Sequence, residues 1–211
     1  MISNNLLQKL WGRNTDEIIK DINMKKIPKW LDIKIQNESD RKGYNYEDII
    51  DEIKNSRLYA SCFAKDPMKQ NIAEKIQMIL LKKIYPEIKK LPNGGKNALY
   101  ISNGKLSNKK GKSTAKSIDF KYNEVLFYAK YTKERGGAQD NQYNDCKNFI
   151  REAKKFTCNK YLFVLVIDGD YYDEEKINNL LELADCQVDI INTLQLGDVD
   201  DDIDVEELIN L

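Results

Sequence analysis

Two short segments that read as strands are separated by only two residues, and this spacing fixes how they pair. The segments are residues 117–122 and 125–131, with Asn123 and Glu124 as the turn between them. Because a two-residue turn closes on its own flanking residues, position 119 comes to stand opposite position 128. The sequence therefore predicts a β-hairpin whose register follows from the turn alone.

This register brings three polar side chains together. Directly opposite side chains share a face, as do residues two apart along a strand, so Asp119, Tyr128 and Lys130 are predicted to project together. An acid beside a lysine on paired strands is the core of a divalent-metal phosphodiester site. The acid holds the metal, and the lysine orients the attacking water or neutralises charge on the phosphate. An ordinary hairpin with one polar face gives the same pattern, so the flanking segments decide between the two.

The chain after the hairpin has the pattern of an α/β sheet. Residues 132–145 contain a Gly-Gly bend, a helix-like run extends to about residue 155, and residues 161–167 are strongly apolar. A buried strand of this kind requires cover on both sides. We therefore predict an α/β domain with a mixed central sheet flanked by helices.

The N-terminal part reads as helices. Residues 4–10 and 15–24 have apolar residues at helical spacing, with Thr15 as a predicted cap. We predict an N-terminal helical extension over residues 1–58 and an α/β domain over residues 59–211, the two together forming one compact unit. The extension either covers the sheet or reads DNA.

The order of elements around the hairpin resembles the PD-(D/E)xK nucleases, and in particular the type II restriction endonucleases. The resemblance covers roughly residues 60–196, with Asp119 in the first half-motif and residues 128–130 as the second. It implies a restriction-endonuclease-like sheet. It also implies a site-specific deoxyribonuclease that hydrolyses double-stranded DNA with Mg²⁺ or Mn²⁺, as a homodimer at least on DNA.

Two further segments are similar to parts of this family. Gln139 and Tyr143, four residues apart on the next helix, look like the Gln-x-x-x-Tyr element of some members, which implies that they order the site. The layout from residues 66–74 through 91–95 is similar to the start of the FokI cleavage domain. Each motif is short, and the resemblance depends on their order.

The second half-motif departs from the family pattern. Tyr128 stands where the family has Asp or Glu, and a phenol with a pKa near ~10 is a poor ligand for magnesium. Three alternatives stay open. The second acid has moved to the next helix, as Asp145 or Asp140, or the preceding helix supplies it as Glu74, or the acid is lost and the site is silent.

The zero net charge conceals a strong polarity along the chain. Ten lysines lie from Lys82 to Lys116 against the single acid Glu87, and fifteen acids follow from Asp168 onward against the single base Lys176. A local basic face is what a polyanion requires, although a solvated loop has the same composition. The predicted DNA-binding residues are Lys105, Lys109, Lys110, Lys112, Lys116, Lys133 and Arg135.

Composition excludes several function classes. The chain has no histidine, which removes histidine-metal nucleases, imidazole-based triads and most zinc enzymes. Chemistry that uses carboxylates, a lysine and a hard metal ion needs no histidine and is not excluded. No apolar stretch approaches membrane-spanning length and the N-terminus lacks a signal-peptide pattern, so we expect a cytoplasmic protein with no membrane partner.

These observations lead to one main hypothesis and two others. The main hypothesis is a magnesium-dependent endonuclease in which Asp119 holds the metal, Asp145 or Glu74 completes its shell, and Lys130 positions water. The second is a catalytically silent nuclease fold that acts as a DNA-binding or partner subunit, which Tyr128 favours. The third is a protein interaction module that binds through its acidic end.

Overall fold

The computed structural model describes residues 4–111, 115–132, 137–157, 160–193, 205 and 208. The chain divides into two compact units, one made chiefly of residues 3–72 and the other chiefly of residues 73–203. No helix in the described part of the chain is both long and apolar enough to cross a membrane.

The first unit is helical, and polar side chains mark where two of its helices begin. Asn45 accepts a hydrogen bond from the backbone of Glu47, and Ser56 accepts one from the backbone of Tyr59. The predicted boundary after residue 58 lies within the last of these helices. The helices are α1 (Asn4–Asn23), α2 (Lys29–Lys42), α3 (Tyr46–Asn55) and α4 (Arg57–Phe63), followed by a 3₁₀ turn (Pro67–Gln70).

The prediction that Thr15 caps a second helix is wrong. Thr15 is buried in the middle of α1, and its hydroxyl donates to the carbonyl of Trp11, one turn earlier. A threonine hydroxyl that bonds back to the preceding turn is compatible with an uninterrupted helix. The two predicted helices are therefore one.

The second unit contains two sheets. The larger has the strand order β1-β5-β6-β7-β8, and the smaller has the order β3-β2-β4. The strands of the larger sheet are β1 (Lys89–Lys90), β5 (Phe120–Tyr122), β6 (Val125–Tyr131), β7 (Leu162–Asp168) and β8 (Asp189–Asn192). The remaining elements are α5 (Ile72–Ile84), β2 (Tyr100–Ser102), β3 (Lys105–Ser107), β4 (Lys116–Ser117), α6 (Gly137–Lys154) and α7 (Glu174–Ala184).

The larger sheet is mixed, as the sequence predicts. Strands β1, β5 and β6 are antiparallel neighbours, whereas β6, β7 and β8 run parallel. Leu126, Leu165 and Ile167 pack on one face with side chains of α6 and α7, and Phe127 and Val164 pack on the other with side chains of α5. The mixed α/β architecture with helices on both faces of the sheet is thus confirmed.

The predicted hairpin register is confirmed from the turn back to Phe120, whereas the predicted pairing of position 119 with position 128 is not part of the strand ladder. Tyr122 pairs with Val125 and Phe120 pairs with Phe127, and Asn123 lies in the turn with a φ of 50°. Asparagine adopts this left-handed conformation more readily than most residues, which explains why a two-residue turn forms here without glycine.

At the carboxyl ends of β6 and β7, the backbone of Gly169 lies close to the backbone of Thr132. Gly169 has a φ of 102°, and a Cβ atom there would lie 2.1 Å from the carbonyl oxygen of Thr132. We expect Gly169→Ala to lower the free energy of unfolding by about 3 kcal/mol or more, because backbone strain and a backbone clash act together. Urea denaturation measures this loss.

Gly95→Ala is the matched control for that variant. Gly95 also has a positive φ, 85°, but a Cβ atom there meets nothing within 4 Å. It therefore isolates the conformational cost, about 1 to 2 kcal/mol. Equal losses for the two variants would contradict the close approach at Gly169.

Candidate functional site

Asp119 lies at an irregularity where β5 begins. Its backbone N–H donates to the carbonyl of Phe127 at 2.9 Å, although Phe127 is already paired with Phe120. Two residues opposite one are the geometry of a β-bulge, and Ile118 and Phe120 consequently pack on opposite faces of the sheet. Bulges of this kind redirect a side chain.

The bulge changes the predicted arrangement of the three polar side chains. The Asp119 carboxylate accepts a hydrogen bond from the backbone N–H of Ala129 at 2.7 Å, so it lies beside the β6 backbone. Tyr128 and Lys130 instead follow the regular alternation of β6. The prediction that all three share one face assumes regular pairing of residue 119 with residue 128. The bulge replaces that pairing.

The Asp119 carboxylate is buried, with 8% of the residue exposed. Burial raises its pKa to about 6, and the Ala129 N–H and the charge of Lys130 oppose this rise. Glu74 raises the pKa further and Lys90 lowers it, so both side chains are close enough to act on this carboxylate. A buried carboxylate with one hydrogen bond is suited to receive a cation.

Glu74, in the first turn of α5, supplies a second carboxylate. Its Oε1 is 2.9 Å from Nζ of Lys90. The same oxygen is buried, and the ammonium of Lys90 is its partner. A carboxylate oxygen has more than one lone pair, so this contact leaves it with capacity for another ligand.

Lys130 extends from the second-last position of β6. Its Nζ lies over the Tyr128 ring, 4.8 Å from the centroid, and its charge reaches Asp119. The buried Gln77 side chain on α5 donates to the Lys130 carbonyl at 3.4 Å. The backbone that carries the lysine is thereby attached to the helix that carries Glu74.

Tyr128 is a core residue. It is 2% exposed, and its ring stacks on Phe149 of α6 with centroids 4.8 Å apart. Burial raises the pKa of its phenol far above the ordinary value, so the hydroxyl stays neutral. In the nucleases that the sequence resembles, this position carries an acid. In this chain it carries a buried aromatic residue.

The other predicted site residues on α6 have partners elsewhere. Asp145 forms an ion pair with Lys116 at 2.5 Å, and the Asp140 carboxylate accepts from the hydroxyl of Tyr171 at 2.5 Å. The Tyr143 hydroxyl donates to the Lys176 carbonyl at the start of α7, at 3.2 Å. Gln139 is half-buried near the start of α6. Glu74 is the acid among the leading charges that shift the pKa of Asp119.

Four of the predicted DNA-binding residues lie on strands of the smaller sheet or directly after one of them. Lys105, on β3, and Lys109 and Lys110, after it, are exposed. Lys116 is half-buried and engaged by Asp145. Lys112, Lys133 and Arg135 lie outside the described residues.

Carboxylate oxygens are the type of ligand that a magnesium ion prefers. Within the described residues, no group of three or more acid or thiol side chains is arranged to hold a metal. Magnesium is commonly bound through only one or two carboxylates, together with water and substrate phosphate. Asp119 and Glu74 provide two such carboxylates.

Sequence reasoning missed Lys90. It stood out only as one of ten lysines in a basic run, because β1 is two residues long and has no readable alternation. Its proximity to Glu74 arises from strand pairing with β5, which is a long-range contact. No local signal reveals it.

No protein-family model matches the chain, and no curated protein and no solved structure is similar enough to be matched to it.

Proposed function

We propose that this chain is a magnesium-dependent endonuclease of the restriction type that cleaves double-stranded DNA. The observation that carries the proposal is the buried Asp119 carboxylate at a β-bulge, with the Glu74 carboxylate and the Lys130 ammonium near enough to shift its pKa. Two acids and a lysine are the groups that metal-assisted phosphodiester hydrolysis needs. The mixed sheet with helices on both faces agrees with a restriction-endonuclease-like fold.

Asp119 and Glu74 are the residues that would hold the ion. A Mg²⁺ ion bound there would lower the pKa of a coordinated water molecule and would neutralise charge on the phosphate. The Ala129 N–H holds the Asp119 carboxylate in place through its 2.7 Å hydrogen bond, so little reorganisation is required of this ligand. Lys130 would orient the attacking water and donate to the phosphate oxygens.

Glu74 supports the displaced-acid alternative better than Asp145 or Asp140 does. The charge of Glu74 acts on Asp119, and one of its oxygens is buried beside the Lys90 ammonium. Asp145 is neutralised by Lys116, and Asp140 accepts from Tyr171. We therefore propose that the second acid of this site comes from the helix before the sheet.

The exposed lysines Lys105, Lys109 and Lys110 give a positive surface for the DNA backbone. One site in each chain cuts one strand at a time, so cutting both strands of a duplex calls for two copies on DNA. A two-fold symmetric homodimer is the simplest arrangement.

Incubation of a supercoiled plasmid with the purified chain tests the proposal. With Mg²⁺ or Mn²⁺ we expect conversion to linear or fragmented DNA, and with EDTA no conversion. Intact plasmid with either metal, from a folded protein, would contradict the nuclease proposal.

The lysine surface leads to a separate prediction about salt. Binding of DNA should weaken steeply with salt because lysines that neutralise phosphates release counterions. We expect replacement of Lys105, Lys109 and Lys110 together by glutamine to reduce the slope of log K against log salt by about 2 to 3, roughly 0.9 for each phosphate no longer neutralised. Fluorescence anisotropy with Ca²⁺ in place of Mg²⁺ measures the slope.

The matched control for this triple variant replaces Lys25, Lys26 and Lys29 by glutamine, because these three lysines are exposed in the helical unit. The control should keep the slope of the natural chain. An unchanged slope in the first triple variant would refute the assignment of the lysine surface to DNA.

A catalytically silent nuclease fold that binds DNA is the second candidate. The core position of Tyr128 favours it, because this position offers no metal ligand. Salt-dependent DNA binding without cleavage in any divalent metal would select this candidate.

A further inference from the structure

The ion pair between Lys90 and Glu74 has an unusual setting. The side chains are 36% and 20% exposed, and the Glu74 oxygen that lies 2.9 Å from the Lys90 ammonium is itself buried. Lys90 is thus a cationic partner of one carboxylate of the candidate site, and its charge also reaches Asp119, the other.

The strand register explains how one lysine serves two acids. Lys90 pairs with Phe120, directly after the bulge, and the backbone N–H of Leu91 donates to the Asp119 carbonyl at 2.8 Å. Paired residues share a face, so Lys90 lies on the α5 side of the sheet with Phe120. Lys89 pairs with Lys121 and lies on the opposite face.

We infer that Lys90 is a built-in counter-ion of the Glu74 and Asp119 carboxylates, which a divalent cation displaces from Glu74 when it binds. This inference rests on the metal site of the proposed function. The charge of Glu74 opposes ionisation of Asp119, and the charge of Lys90 favours it, so the lysine offsets the repulsion between the two acids. The ammonium does so when no metal is bound, and its long flexible stem allows it to leave.

Competition between the lysine and the metal has measurable consequences. Metal binding must break the ion pair, so the pair lowers metal affinity and stabilises only the metal-free protein. A purely structural ion pair would stabilise both forms equally. The two cases differ in how Lys90→Met responds to metal.

Thermal unfolding of the full chain with EDTA and with a Mn²⁺ titration separates these cases. In EDTA we expect Lys90→Met to unfold about 2 to 4 °C below the natural chain, the usual shift for removal of one such interaction at this size. At Mn²⁺ concentrations well above both dissociation constants we expect the difference to vanish. We also expect the melting temperature of Lys90→Met to begin rising at a Mn²⁺ concentration on the order of tenfold lower, the usual size of coupling between two ligands.

Lys89→Met is the matched control, because it removes a neighbouring charge on the other face of the same strand. It should behave as the natural chain does. Should Lys90→Met fail to fold, Lys90→Arg gives the opposite test, since a guanidinium holds a carboxylate more firmly and should raise the Mn²⁺ requirement.

A difference between Lys90→Met and the natural chain that stays the same in EDTA and Mn²⁺ would overturn the inference, as would no Mn²⁺ effect on either protein. An equal gain in Mn²⁺ affinity in Lys89→Met would also overturn it, because the gain would then come from the loss of any nearby positive charge and not from the ion pair of Lys90. The nuclease proposal fails differently, since Mn²⁺ can stabilise the chain with no DNA being cut, and that result leaves the role of Lys90 intact.

Discussion

Asp119→Asn is expected to abolish metal-dependent DNA cleavage and to stabilise the metal-free protein at pH 8. Asparagine keeps an oxygen for the Ala129 N–H but loses the charge that holds a hard cation. A metal contributes several kcal/mol to the transition state, so the rate should fall by about a thousandfold or more. Plasmid cleavage over a time course measures this loss.

The stability effect follows from the raised pKa of Asp119. Its folded pKa of about 6 lies above the ordinary value of 3.8, so the folded protein binds this proton more tightly than the unfolded chain does. The resulting stability is fully present below pH 3.8 and is lost as the pH rises through 6. Two pKa units correspond to roughly 3 kcal/mol.

Urea denaturation in EDTA across this pH range checks that sign. The natural chain should lose stability relative to Asp119→Asn between pH 4 and pH 7, by about 2 to 3 kcal/mol. Asp145→Asn is the control, because its carboxylate is paired with Lys116 near the surface. Parallel curves for Asp119→Asn and the natural chain would show that Asp119 is not a desolvated carboxylate.

Tyr128→Glu is expected to destabilise the fold strongly and to bring no gain in cleavage. Had Tyr128 marked a lost acid on an open face, glutamate would restore a metal ligand. Tyr128 instead stacks on Phe149 inside the core, where a glutamate would lack the ring stacking and would bury a carboxylate. We expect a loss of about 4 kcal/mol or more in the free energy of unfolding.

Tyr128→Phe is the control for this variant. It keeps the ring on Phe149, so we expect stability within about 1 kcal/mol of the natural chain and unchanged cleavage. Chemical denaturation and plasmid cleavage measure both variants. Increased cleavage by a stable Tyr128→Glu protein would contradict the core assignment.

The hairpin shows what local sequence determines and where it stops. Two turn residues fix the register from Tyr122 and Val125 back to Phe120, and the structure has that register. The bulge at Asp119 is not readable, because Ile118 and Phe120 are both apolar and two apart, which suggests one face, yet they pack on opposite faces. Both neighbours are core residues, so the alternation gives no warning.

The candidate site depends on contacts that are distant in sequence. Glu74 is one of several alternatives for the second acid on sequence grounds, because a helical pattern cannot tell which carboxylate faces a strand that pairs more than forty residues later. Lys90 joins it through the pairing of β1 with β5. These groups come together through the order of strands in the sheet, and local sequence patterns do not reveal that order.

The central claim is that a divalent cation held by Asp119 and Glu74 drives DNA cleavage. Its most direct test is cleavage of one plasmid, at saturating Mg²⁺, by the natural chain, Glu74→Gln and Asp145→Asn side by side. We predict that the natural chain and Asp145→Asn cut at similar rates, whereas Glu74→Gln loses at least about a hundredfold in rate. No cleavage by the natural chain, or an inactive Asp145→Asn beside an active Glu74→Gln, would contradict the claim.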